Sequence, residues 1–176
     1  WAAAQDLNMP LSLHTATRRE GPSRGAGATS VRVASGRANK VFYPATSMSD
    51  MIFSGVFERY PKIKLVIVEF EVSWVPYLLD SMDYTYRERH EEALYRFKGG
   101  SRPSDFFHNN IFIGFQEDSL GIQLRHHIGV NTLLWGSDYP HAESTFPKSR
   151  EILGQILSGV PKEEQAQIAG ENTDKL

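Results

Sequence analysis

Lys64-Leu65-Val66-Ile67-Val68-Glu69-Phe70 is the stretch that decides the fold of this 176-residue chain. Its apolar residues run on without alternating with polar ones, which is how a strand buried on both faces of a parallel sheet reads. Such a strand needs helical crossovers on either side, and the flanking sequence supplies them. Upstream, Ser47 or Ser49 can cap a helix whose stripe is Met51, Ile52, Val56 and Phe57, and Pro61 ends it. Downstream, the spacing predicts a long helix over Ser73–Phe97. Leu78, Leu79, Met82 and Tyr86 lie on one side, with Arg87, Glu88, Arg89, Glu91 and Glu92 on the other, and Gly99-Gly100 stops it. The alternation recurs outward. Strands are expected at Pro10–Thr15, Ile111–Phe115 and Thr132–Trp135, and helices over Ser119–Ile128, over Pro147–Leu157 and after Pro161. Four strands separated by helices predict an α/β chain with a parallel sheet and no internal domain boundary.

Composition excludes several function classes. With 19 basic and 21 acidic residues the net charge is −2, unlike the basic footprint of a nucleic-acid binder. There is no cysteine, hence no disulfide, thiolate metal site or cysteine nucleophile. No apolar run reaches the ~20 residues of a membrane span, and the N-terminus has no signal-peptide pattern, so a cytoplasmic location is expected. The first residue is Trp1 rather than Met, which reads as a processed product or a fragment. Thr17 to Lys40 is rich in Gly, Ser and Arg with the single acid Glu20, and reads as a long solvated loop.

Parallel α/β proteins place their chemistry at the C-terminal ends of the strands. Each expected strand here ends on a titratable or ligand-type residue. These are His14, Glu69 with Glu71 beyond it, the run Gln116-Glu117-Asp118, and Asp138 followed by Tyr139, Pro140 and His141. A lone histidine such as His14 is more often structural than a ligand. Glu69 is harder to set aside, because a carboxylate within an apolar run needs a cation, a donor network or a metal. Asp118 reads first as the cap of the next helix. His126 and His127 are helix neighbours that do not share a face, which argues against a joint metal site. There is no nucleophile elbow around Ser137, no dinucleotide fingerprint around Gly25-Ala26-Gly27 and no phosphate loop.

Three segments resemble a known family. Trp135-Gly136-Ser137-Asp138-Tyr139-Pro140-His141, preceded by Arg125-His126-x-Ile128-Gly129-Val130, is similar to the last strand of amidohydrolase-related metal-dependent hydrolases. That group includes aminocarboxymuconate-semialdehyde decarboxylase and related nonoxidative decarboxylases. Gly55-x-Phe57-Glu58-Arg59-Tyr60-Pro61-x-Ile63-Lys64 resembles the group's helix before strand six, and Ile168-Ala169-Gly170-Glu171-Asn172 its C-terminal helix. The resemblance implies a (β/α)₈ TIM barrel with a divalent metal, usually zinc, at its mouth. It implies His14 as the strand-five metal ligand, and Asp138 as both the strand-eight ligand and a general base. Glu69 stands where the family commonly has a catalytic histidine, while Trp74 and His141 resemble residues near the substrate.

The family's His-x-His does not occur in the sequence, and a whole barrel takes ~250 residues. The expectation is therefore the C-terminal half of the barrel, strands five to eight, as one partial amidohydrolase-related domain over 1–176. The implied activity is hydrolysis of a small-molecule substrate by a metal-activated water. Nonoxidative decarboxylation on the same metal site, or an inactive fragment, are the alternatives. Half a barrel also exposes two sheet edges that a homo-oligomer would cover.

Overall fold

The computed structural model describes residues 1–14, 30–89, 91–93 and 95–176. Its centre is a four-stranded sheet of β1 (Leu11–Leu13), β2 (Leu65–Ile67), β3 (Ile111–Phe115) and β4 (Leu133–Trp135). The strands lie in sequence order, β1-β2-β3-β4, and every neighbouring pair is parallel. The helices are α1 (Ala2–Asp6), α2 (Ser30–Ala38), α3 (Phe42–Phe53), α4 (Val56–Arg59) and α5 (Val75–Glu88). They continue with α6 (Pro103–Asn110), α7 (Ser119–Gln123), α8 (Arg125–Ile128), α9 (Ser149–Ile156) and α10 (Lys162–Ala166). No helix among the described residues is long and apolar enough to cross a membrane.

The two sheet faces differ. Leu65, Ile67, Ile111, Ile113 and Leu133 are shut off from solvent together with Met48, Ile52, Phe57, Phe107 and Ile168 of the helices. The alternate residues are more open on the side of β1, where Ser12 is exposed and its register partner Val66 is half-buried. Two buried asparagines tie the N-terminal ends of the strands together. The Asn110 amide donates to the carbonyls of Pro61 and Ile63 at 2.9 Å each. The Asn172 amide donates to those of Val130 and Leu133 at 2.7 and 2.9 Å. The motif Ile168–Asn172 thus fixes the C-terminal helical segment to the start of β4.

Several element boundaries differ from the sequence expectation. The helix expected from Ser47 or Ser49 starts at Phe42 and breaks at Gly55, whose φ is +71°. A Cβ there would lie 2.4 Å from the Tyr95 ring, so a side chain is excluded by contact as well as by conformation. The helix expected over Ser73–Phe97 ends at Glu88. Past it the chain turns back, so that Phe97 stacks on Tyr86 at 4.7 Å and its N–H donates to the Tyr86 hydroxyl. The charged run Arg87–Glu92 offers no apolar stripe that would favour continuing the helix. Of the loop expected over 17–40, residues 17–29 lie outside the described residues, and Ser30–Ala38 is helical.

Candidate functional site

Parallel strands in sequence order bring all four C-terminal ends to one edge of the sheet, and the strand-end residues with them. His14 follows β1 directly, and its Nε2 lies 2.7 Å from Glu69 Oε1 at the end of β2. Both side chains retain access to solvent, the His14 side chain at 46% and Glu69 at 22%. The pair is set by register. Leu13 lies opposite Ile67, and the Val68 N–H still donates to the Leu13 carbonyl, so the two side chains emerge on adjacent strands. Glu69 then turns to φ +69°, which ends the strand earlier than its apolar run suggests.

The other side of the site is built after β4. Asp138 adopts φ +57°, and its Oδ2 lies 3.5 Å from His141 Nδ1. The His141 N–H donates to the Asp138 carbonyl, and the Thr145 N–H to that of Ser137, which makes the segment after β4 compact. Glu143 of this segment is ion-paired with Arg37 of α2. Tyr139 and Phe146 form an exposed aromatic pair with ring centres 4.8 Å apart.

Between these sides the Glu71 carboxylate accepts from the Gln116 N–H at 3.2 Å. Burial pushes the Glu71 carboxyl above its ordinary range, and the nearby Asp118 charge adds to this. The Gln116 and Glu117 N–H groups and the Lys40 charge act in the opposite direction. The Trp74 indole N–H donates to the carbonyls of Phe70 and Glu71, so its polar edge is spent on the local loop and its ring remains as an apolar surface. The Trp135 indole N–H donates to the Gln116 carbonyl at 3.2 Å, linking the ends of β3 and β4.

The structure therefore gathers the sequence-selected residues as two pairs, His14 with Glu69 and Asp138 with His141. Trp74 packs beside the first pair's loop. Among the described residues no group of three or more His, Asp or Glu side chains could hold a metal ion. An imidazole and a carboxylate suit a first-row divalent ion. Two such donors are fewer than the three protein ligands of a catalytic site, so the described residues do not by themselves make a complete one.

Sequence reasoning placed Gln116 at the end of the third strand without giving it a role, and here its N–H and carbonyl join Glu71 and Trp135. It read Asp118 first as a cap, a role it fills by accepting from the Gly121 N–H at 2.7 Å. Its bonds to the loop after β2 join residues more than forty positions apart and leave no local trace.

The amidohydrolase family model matches residues 1–176. The chain belongs to the amidohydrolase family. Among solved structures it is similar to an amidohydrolase from Mycobacterium avium subsp. paratuberculosis K-10, with TM-score 0.76 and 23% identity over 99% of this chain and 44% of that one. It is also similar to 5-carboxyvanillate decarboxylase from Novosphingobium aromaticivorans, complexed with manganese and 4-hydroxy-3-methoxy-5-nitrobenzoic acid. There the TM-score is 0.72 at 17% identity, over 99% and 49% of the two chains. A third neighbour is 2,6-dihydroxybenzoate decarboxylase from Rhizobium, with TM-score 0.69 and 17% identity over 99% and 53%. No curated protein matches the chain. This amidohydrolase chain thus spans about half the length of these neighbours, and the fold expectation of a half-barrel α/β sheet holds.

Proposed function

We propose that this chain supplies one wall of a metal-dependent hydrolase site that acts on a small organic substrate. The observation that carries the reading is the His14–Glu69 pair at the adjoining ends of β1 and β2. A carboxylate in contact with an imidazole can hold a proton between two groups and pass it to or from a bound substrate. Asp138, oriented by its left-handed backbone and by His141, is the general base at the β4 end of that wall. Trp74 and His141 border the substrate. A divalent ion would take Asp138 and His14 as ligands, His14 through Nδ1 because its Nε2 faces Glu69, and needs others that the described residues do not supply. Manganese in the neighbouring carboxyvanillate decarboxylase supports a divalent ion and does not select zinc.

A second reading, decarboxylation of a carboxylated aromatic acid, is favoured by two of the structural neighbours, which are decarboxylases of such acids. The aromatic residues Trp74, Trp135, Tyr139 and Phe146 around the strand ends would suit a flat ring. The complete, metal-loaded protein should be assayed against esters, amides and hydroxybenzoates, recording hydrolytic product and CO₂ separately. E69Q and D138N are each expected to lower turnover by about 10²–10⁴-fold, the range for a lost acid–base group. Wild-type turnover by either variant would refute that residue's role.

A further inference from the structure

The proposed reaction gives Glu69 a task, and its geometry has to be maintained by something. Glu69 and Glu71 both lie in the left-handed region, at φ +69° and +55°, where a residue with a side chain persists only if its surroundings hold it. The segment that carries them, residues 69–74, is fastened at its far end by Asp118. This aspartate is buried, at 7% exposure. Its Oδ2 accepts from the N–H groups of Val72 and Ser73 at 2.8 and 2.7 Å, and its Oδ1 accepts from Gly121 at 2.7 Å.

Capping α7 needs only the Gly121 bond, so the bonds to Val72 and Ser73 are surplus to that role. The approach is close. A Cβ on Gly121 would lie 2.3 Å from Val72 Cγ2 and 2.9 Å from Asp118 Cγ, so α7 can dock here only through a glycine. An ionised carboxylate is acceptor-only and serves three converging N–H groups, whereas an amide would turn its own donors on some of them.

We propose that Asp118 is a positioning residue whose carboxylate holds the Glu69–Trp74 segment in the form that aims Glu69 Oε1 at His14 Nε2. This rests on the reading of Glu69 as an acid–base group. Asp118 acts through the backbone three and four residues beyond Glu69, so its loss should affect the chemical step more than substrate affinity.

The test is steady-state kinetics of the complete, metal-loaded protein with D118N, G121A, E69Q and the D118N/E69Q double variant. D118N should lower kcat by about 10–100-fold, as for outer supports of active-site groups, with KM within about twofold. G121A pushes on Val72 from the helix side without altering the Asp118 charge, and should lower kcat in the same way. In the E69Q background D118N should add no further loss, because both changes remove one function. Unchanged kcat in D118N, or a full additional loss in the double variant, would overturn the proposal. So would failure of both D118N and G121A to fold, which would make the contact purely structural. An impaired E69Q beside a silent D118N refutes the clamp alone. Wild-type turnover by E69Q refutes the acid–base reading and the clamp's purpose with it.

Discussion

Replacing Asn172 by alanine tests whether the C-terminal segment holds β4 in place. Asn172 is fully buried, and its amide donates to the carbonyls of Val130 and Leu133 at 2.7 and 2.9 Å. Alanine leaves both carbonyls without that partner, and Leu133 is itself shut off from water. An orphaned buried polar group costs about 1–3 kcal/mol. Val130 is only half-buried and recovers part of its share from solvent, so the sum is about 2–4 kcal/mol. Against a typical total of about 5–15 kcal/mol this is a large fraction. At about 2–4 °C per kcal/mol for a chain of this size, the melting temperature should fall by about 4–16 °C. Thermal and urea denaturation followed by circular dichroism measure it. N172D should lose more, since a carboxylate would face two carbonyl oxygens. A change below about 0.5 kcal/mol in N172A, the level of an ordinary surface substitution, would refute the assignment.

Three further outcomes are expected. The raised pKa of Glu71 means the folded chain favours the protonated carboxyl, so its contribution is present at low pH and lost as pH rises through the raised value. E71Q should therefore melt like wild type near pH 4 and above it at pH 7, and equal melting at both values would refute the burial argument. G55A should be destabilised by more than the ~1–2 kcal/mol of a left-handed residue, because its Cβ also meets the Tyr95 ring, and denaturant midpoints check this. The 176-residue chain on its own should retain no stoichiometric divalent ion after gel filtration, read by elemental analysis. One tightly held ion per chain would show that these residues complete a site unaided.

The fold was largely legible because parallel strands write themselves as continuous apolar runs. All four strands fall inside the expected segments, in the expected order. Their ends were less legible. Val68-Glu69-Phe70 has strand composition, but the left-handed Glu69 is imposed by tertiary contacts that no propensity encodes. The helix over Ser73–Phe97 was overextended because Tyr86 and Phe97 meet through a chain reversal rather than along one helix face. In the site, proximity of His14 to Glu69 follows from β1 and β2 being neighbours, which the order of a parallel sheet predicts. Partnership of Asp138 with His141 is local in sequence and was within reach. The grip of Asp118 on Val72 and Ser73 spans forty-five and more positions and depends on side-chain direction, so sequence carries only its capping half.

The distribution of backbone strain supports the C-terminal edge of the sheet as the proposed site. Among the described residues the non-glycine positions with positive φ are Asn8, Glu69, Glu71 and Asp138. Asn8 is a residue type that tolerates this conformation near a chain end. The other three are carboxylates, and all follow the C-terminal ends of β2 or β4. Stability alone gives no reason to place carboxylates there, since glycine would adopt the same φ without the steric cost. The N-terminal edge is arranged differently, with Asn110 and Asn172 satisfying carbonyls and, among the described residues, no acid at positive φ, only Asn8 ahead of β1. One edge is thus organised to fasten strands and the other to present acids in conformations that must be maintained. Strain at Glu69 and Glu71, answered by the Asp118, Gln116 and Trp74 hydrogen bonds, suits the proposed proton transfer, and a merely solvated strand end would have no reason to keep it.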